Sequence, residues 1–163
     1  MKAVENNFDD PKVNELLKKH FIELRSVSPA GSTHVLDING LKNETIKFWS
    51  IWENKDLIGC GAIKILNPNH GEFKSIRVND KFREKGYGKK IISILISKSK
   101  DIDLKIIFIE TGSGKFFEPA RKLFKSCGFK ECDPFSHYKN DPNSCYMKIK
   151  LKFLLFNFFF YVF

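Results

Sequence analysis

The stretch Val78-Asn79-Asp80-Lys81-Phe82-Arg83-Glu84-Lys85-Gly86-Tyr87-Gly88-Lys89-Lys90 joins a run with strand character to a run with helix character, and its reading decides the fold. Two glycines let backbone approach a ligand closely, and a helix beginning there presents unpaired N–H groups to an anion. Phosphate suits such a turn. From Lys74 to Lys105 ten lysines and arginines stand against four acids (Asp80, Glu84, Asp101, Asp103), so this stretch supplies six of the nine net positive charges. Two glycine motifs are excluded. A Walker A loop needs GxxxxGK followed by Ser or Thr, but position 83 is not glycine and Gly88-Lys89 is followed by Lys90. A dinucleotide fingerprint needs a third glycine where Ile91 stands. What remains is Arg83-x-x-Gly86-x-Gly88, for which a glycine turn ahead of a helix with a solvated basic face is the plain alternative.

Toward the N-terminus, the runs Thr45–Trp52 and Leu57–Leu66 flank Glu53-Asn54-Lys55-Asp56, a hairpin signal. Asn67-Pro68-Asn69-His70-Gly71 then turns the chain into Glu72–Val78, which predicts an antiparallel meander. Earlier still, Asp10-Pro11 followed by Val13, Leu16, Leu17, Phe21 and Leu24 reads as a capped helix ending near Arg25, and Ser28–His34 as an exposed loop. Toward the C-terminus, Ile91, Ile92, Leu95 and Ile96 mark a helix over Gly88–Lys100, and Lys105–Glu110 returns to strand, a βαβ unit whose strands should be parallel. A further helix runs from Glu118-Pro119 to Cys127, with Ala120, Leu123, Phe124 and Cys127 on one face and Gly128 as its stop. Strands around Phe129–Cys132 and Ser144–Leu151 complete the chain. The expected class is α+β: a mixed, mostly antiparallel sheet with one parallel strand pair and helices on both faces.

No repeat or Gly/Ser/Pro-rich linker interrupts this order, so residues 1–152 read as one domain. With 42% hydrophobic and 29% charged residues, the composition excludes a disordered chain. The net charge of +9 points to an anionic partner: a phosphorylated cofactor, nucleic acid or an anionic membrane surface. Cys60, Cys127, Cys132 and Cys145 form no CxxC pair and the four histidines are scattered, so no metal site is expected. The first residues lack the long apolar run of a secretory signal, which makes the cytoplasm the expected location. Six of the 17 phenylalanines crowd into Phe153–Phe163. That eleven-residue apolar tail is well short of the roughly 20 residues needed to span a bilayer, and is set apart from the functional core.

With these elements in order, the chain resembles the GNAT superfamily of acetyl-coenzyme A-dependent N-acetyltransferases, whose pyrophosphate signature Arg/Gln-x-x-Gly-x-Gly/Ala is matched by Arg83, Gly86 and Gly88. The resemblance spans roughly residues 10–150. It is closer to a bacterial branch of YsnE-type acetyltransferases, carried by Phe48-Trp49-Ser50, His70-Gly71-Glu72, Glu110-Thr111-Gly112-Ser113, Phe117-Glu118-Pro119-Ala120-Arg121 and Asp141-Pro142-Asn143-Ser144. It implies acetyl-CoA as co-substrate, no metal, and direct attack by an acceptor amine.

The loop Arg83, Lys85, Gly86, Tyr87, Gly88 and Lys89 would hold the pyrophosphate, and Ile76 and Val78 would flank the pantetheine arm. Glu72, six residues before Val78, is the expected base, and alternation places it on one strand face with Ile76 and Val78. Glu110 is its rival, and His34, Glu110 and Tyr138 are expected at the acceptor. Where many members carry a proton-donating tyrosine on the last helix, this chain has Phe124, which leaves water or Tyr138 to protonate the thiolate. Two rival functions follow. One is a catalytically weak acyl-CoA-binding protein, motivated by Phe124. The other is a basic nucleic-acid-binding module, disfavoured because the lysines do not interleave with aromatics. No nucleic-acid partner and no membrane span are expected, and the sequence leaves room for a homodimer.

Overall fold

The computed structural model describes residues 1–29 and 31–153. Among these residues seven strands form one sheet: β1 (Lys2–Glu5), β2 (Ile46–Glu53), β3 (Asp56–Asn67), β4 (His70–Val78), β5 (Ile106–Gly112), β6 (Lys130–Glu131) and β7 (Ser144–Lys150), in the order β1-β2-β3-β4-β5-β7-β6. Every neighbouring pair is antiparallel except β4 and β5. The expected class and the single parallel pair are both found.

Among the described residues, four α-helices cover the sheet: α1 (Pro11–Val27), α2 (Ile38–Leu41), α3 (Tyr87–Asp101) and α4 (Glu118–Ser126). Asp10 caps α1 by accepting from the N–H groups of Lys12, at 2.8 Å, and Val13, while Pro11 opens the helix with a fixed φ. Val13, Leu16, Leu17 and His20 form its buried stripe. The helix stops before Pro29, whose ring disfavours helical conformation at Ser28. Its apolar stripe packs on Phe48, Leu57, Cys60 and Ala62, whereas Ile91, Ile92 and Leu95 of α3 and Phe124 of α4 pack on the opposite face with Ile58, Ile63, Phe73 and Ile107. Helices therefore lie on both faces, as the sequence predicts.

Two elements depart from the sequence reading. Strand β1 was not expected, because four residues with only Ala3 and Val4 apolar carry no alternation long enough to detect; edge pairing to β2 creates it. The single turn α2 is capped by Asp37, which accepts from Gly40 N–H at 2.7 Å. Of the apolar tail, only Phe153 belongs to the described residues; its ring lies 4.0 Å from the Lys105 ammonium. The rest of that expectation falls outside them.

Candidate active site

Two features of β4 build the site. The first is a bulge. Between Cys60 and Ala62 of β3 the partner strand moves from Arg77 to Lys74, so β4 carries one extra residue there, and Ser75 sits at φ 50°. Cys60 Sγ donates to the Ser75 carbonyl across this kink at 3.4 Å. The bulge corrects one expectation: strict alternation would place Glu72, Ile76 and Val78 on one face, but the inserted residue flips the phase. Ile76 and Val78 pack with Phe73 on the α3 and α4 side, while Glu72 meets Lys74 and Tyr138 on the other.

The second feature is separation. Pairing of β4 with β5 covers only His70–Ile106, Gly71–Ile107 and Glu72–Phe108. Beyond Glu72 the two strands go different ways, β4 toward β3 and β5 toward β7. The sheet is thus open where the parallel pair ends, and the loop after β4 lies beyond that opening.

That loop carries a turn of 3-10 helix at Asp80–Phe82, capped by Asn79, and then enters α3 at Gly86. Gly86 has φ +78° and no atom within 4 Å of where a Cβ would stand, so a side chain is opposed by backbone conformation and the adjoining space is open. Gly88 differs: a Cβ there would lie 2.7 Å from Leu123 Cδ2, so this glycine lets α3 approach α4. Among the described residues, the N–H groups of Glu84, Lys85 and Gly86 donate to no protein acceptor, while Phe82 and Arg83 N–H bond back to Asn79 and Asp80. Unpaired donors at a helix start, among lysines 81, 85, 89 and 90, make an anion seat.

The Arg83 side chain turns away to an ion cluster joining the loop to α1. Its Nε lies 3.0 Å from Asp80, and its guanidinium also faces Glu23. Buried Arg77 pairs with both Glu23 and Asp80, and Lys19 with Asp80. The Lys19 hydrogen bond, aided by Arg77 and Arg83, holds the Asp80 carboxyl below its ordinary value. His20, buried beside Arg77, is pushed down to about 4 first by burial and then by that positive charge, so it stays neutral.

At the opening itself a second cluster gathers residues from four separate segments. Glu72 is fully buried; its Oε1 accepts from Tyr138 OH at 2.6 Å and faces Lys74 Nζ at 2.9 Å, while Oε2 is buried without a partner. Lys74 also donates to Tyr138 OH at 2.8 Å. Glu110 accepts from Ser144 OH at 2.8 Å. Burial raises the Glu110 carboxyl above its ordinary value, assisted by the Glu72 charge and opposed by the Ser144 bond, Lys74 and His34. Burial and then the two glutamates likewise raise the Tyr138 phenol, which therefore keeps its proton. Rings wall the cluster: His34 meets Tyr138 edge-on at 5.0 Å, and Phe135 touches Phe108, Tyr138 and Tyr146. A fixed carboxylate, a phenol that can pass a proton and a second carboxylate raised above its ordinary value by burial are equipment for accepting a proton from an amine.

The structure brings Glu72, Glu110, His34 and Tyr138 together, and holds Arg83, Lys85, Gly86, Tyr87, Gly88 and Lys89 in the loop at the far end of β4. Tyr87 OH donates to Glu53 at 2.6 Å, so its ring braces the loop against β2. Lys74, Phe135, Ser144 and Tyr146 were missed. Lys74 had a usable signal, standing two residues after Glu72 on the same strand face ahead of the bulge. Phe124 is 4% exposed and packs edge-on against Phe129, a core role. Cys60 is buried, and burial pushes its thiol up to about 12, which removes it as a nucleophile. Among the described residues no three His, Cys, Asp or Glu side chains converge as a metal site, and no helix is long and apolar enough to cross a membrane.

Comparison with known proteins places this geometry. The model of the acetyltransferase (GNAT) family matches residues 11–129. The uncharacterized N-acetyltransferase YsnE of Bacillus subtilis (strain 168) is 41% identical over 140 residues, covering 86% of this chain and 93% of its own. Among solved structures, one from Klebsiella pneumoniae, provisionally assigned as an acyl-CoA N-acyltransferase, superposes with TM-score 0.76 at 22% identity over 93% of this chain and 97% of its own. A Bacillus subtilis acetyltransferase in complex with CoA superposes with TM-score 0.68 at 18% identity over 93% of this chain and 99% of its own.

Proposed function

The chain belongs to the acetyltransferase (GNAT) family, a family of acyltransferases, and we propose that it moves an acetyl group from acetyl-CoA to the primary amine of an acceptor by direct attack while both are bound. One observation carries this reading: a single strand, β4, has an anion-ready helix start at one end and a buried carboxylate held by a phenol near the other, with the sheet open between them.

The residues fit the cofactor. The unpaired N–H groups of Glu84, Lys85 and Gly86 and the start of α3 at Tyr87, Gly88 and Lys89 would receive the pyrophosphate, and Ile76 and Val78 would border the pantetheine arm. Arg83 contributes by holding the loop on Asp80 rather than by reaching into it. Bound there, acetyl-CoA supplies the activated carbonyl.

On the acceptor side, Glu72 is sealed from solvent, so it takes the amine's proton through Tyr138, whose hydroxyl already points at it. Glu110, with its raised proton affinity, holds the incoming ammonium beside His34. Tyr138 also stands as the proton source that Phe124 cannot be. A thiol-release assay with acetyl-CoA and a panel of amines tests the proposal: release dependent on one class of amine is expected. CoA retention without release by any amine would leave a binding protein, the reading that buried Phe124 favours. Gly86→Asp should abolish CoA retention, and unchanged affinity would remove the loop assignment.

A further inference from the structure

The proposed acceptor pocket contains a positive charge of its own. Lys74 sits with its side chain 10% exposed, its ammonium 2.9 Å from Glu72 Oε1, 2.8 Å from Tyr138 OH and 5.5 Å from the centre of the Tyr138 ring. An ammonium paired with a carboxylate and lying against an aromatic ring is also what an amine acceptor would present to this cluster. We propose that Lys74 is an acceptor-specificity residue that permanently occupies one of two cation positions, so that the pocket admits small monoamines and rejects polycations such as polyamines, aminoglycosides and lysine-rich peptides. This inference rests on the acceptor site assigned above.

The charge balance supports it. Glu72 and Glu110 bring two negative charges and Lys74 returns one, which leaves room for one cation. The buried Oε2 of Glu72 is unpartnered, and Glu110 accepts only from the neutral Ser144 hydroxyl among the described residues. One incoming ammonium answers Glu110, while sealed Glu72 is reached through Tyr138. A second would meet Lys74 in a space walled by His34, Phe135, Tyr138 and Tyr146, where charges are poorly screened.

The segment between β6 and β7 is fixed as well. Ser113 donates to the Pro142 carbonyl at 2.7 Å and its N–H to the Asn143 carbonyl at 2.8 Å. Asn143 Nδ2 donates to Ser32 Oγ at 3.3 Å, and Tyr146 OH donates to the Lys139 carbonyl at 2.8 Å. These bonds tie the segment at both ends beside the cluster.

The test compares butylamine with 1,4-diaminobutane, matched in length and differing by one ammonium, on CoA-saturated protein by calorimetry and by kcat/KM for thiol release. Wild type should favour the monoamine. Lys74→Met should shift the ratio toward the diamine by about tenfold or more, and Lys74→Arg should keep the wild-type ratio. Because Lys74→Met strips a buried carboxylate of its partner, Glu72→Gln with Lys74→Met removes both charges together, leaves Glu110 as the one net charge, and should keep the wild-type preference for the monoamine in binding. A wild-type preference for the diamine, an unmoved ratio in Lys74→Met, a double variant that takes up the diamine, or no binding of either amine overturns the inference. Amine binding with the expected ratio but no thiol release would count against acetyl transfer and leave charge selection standing.

Discussion

Tyr138 both accepts from Lys74 and donates to Glu72, so losing its hydroxyl breaks two contacts without emptying the ring's place among Phe135, His34 and Tyr146. Tyr138→Phe should lower the rate of acetyl transfer by roughly ten- to a hundredfold and leave acetyl-CoA affinity unchanged, which steady-state kinetics beside a CoA titration would check. Glu110 allows a prediction about stability. Burial makes its carboxyl bind a proton more tightly in the folded chain than in the unfolded one, where the ordinary value of 4.5 applies. The folded state then holds more protons across the window from 4.5 up to the raised value, and stability falls as pH rises through it. Glu110→Gln removes that loss. Urea midpoints of the two proteins should draw apart above pH 4.5 with the glutamine variant gaining, and parallel curves would contradict the burial argument. Cys60 should resist thiol reagents until the protein unfolds, since its sulfur is buried and holds its proton.

Helix ends and helix contacts set the next scale. Asp10→Ala removes two N-cap bonds from α1 and should cost about 1 kcal/mol in a denaturant titration. Gly88→Val drives a side chain into Leu123 and should cost about 1–3 kcal/mol. Adding Leu123→Ala should recover part of that loss if the clash is its source. These ends were legible in the sequence because Asp10-Pro11, Gly86 and Gly128 have local stereochemical reasons to be where they are. The bulge was not. Serine has no preference that marks Ser75 as an inserted residue, and the strain of its positive φ is compensated by pairing with β3, a partner the local sequence cannot display. The same blindness misassigned the face of Glu72. Strand β1 went unread for a related reason, since a four-residue edge strand exists through its neighbour.

Across the whole molecule, the net charge of +9 has a place: six units lie between Lys74 and Lys105, three of them in Val78–Lys90, the loop proposed to bind a pyrophosphate. Acetyl-CoA affinity should therefore fall several-fold when salt is raised from about 0.05 to 0.5 M, as the Debye length shrinks toward the contact distance. The loop end of the site was readable because its residues are contiguous. The carboxylate end was readable only in part, through Glu72, Glu110, His34 and Tyr138 taken singly. Their convergence, with Lys74, Ser144 and Tyr146 among them, depends on β5 and β7 being neighbours and on a strap folding back over them. The three-residue seam between β4 and β5 has a further consequence. Strands β1–β4, and β5 with β7, are stitched by longer ladders than the one that joins them, so the sheet is two cooperative blocks sharing a short border. Amide hydrogens at the border should exchange with solvent sooner than those in either block, and a ligand bridging the two should slow the border selectively.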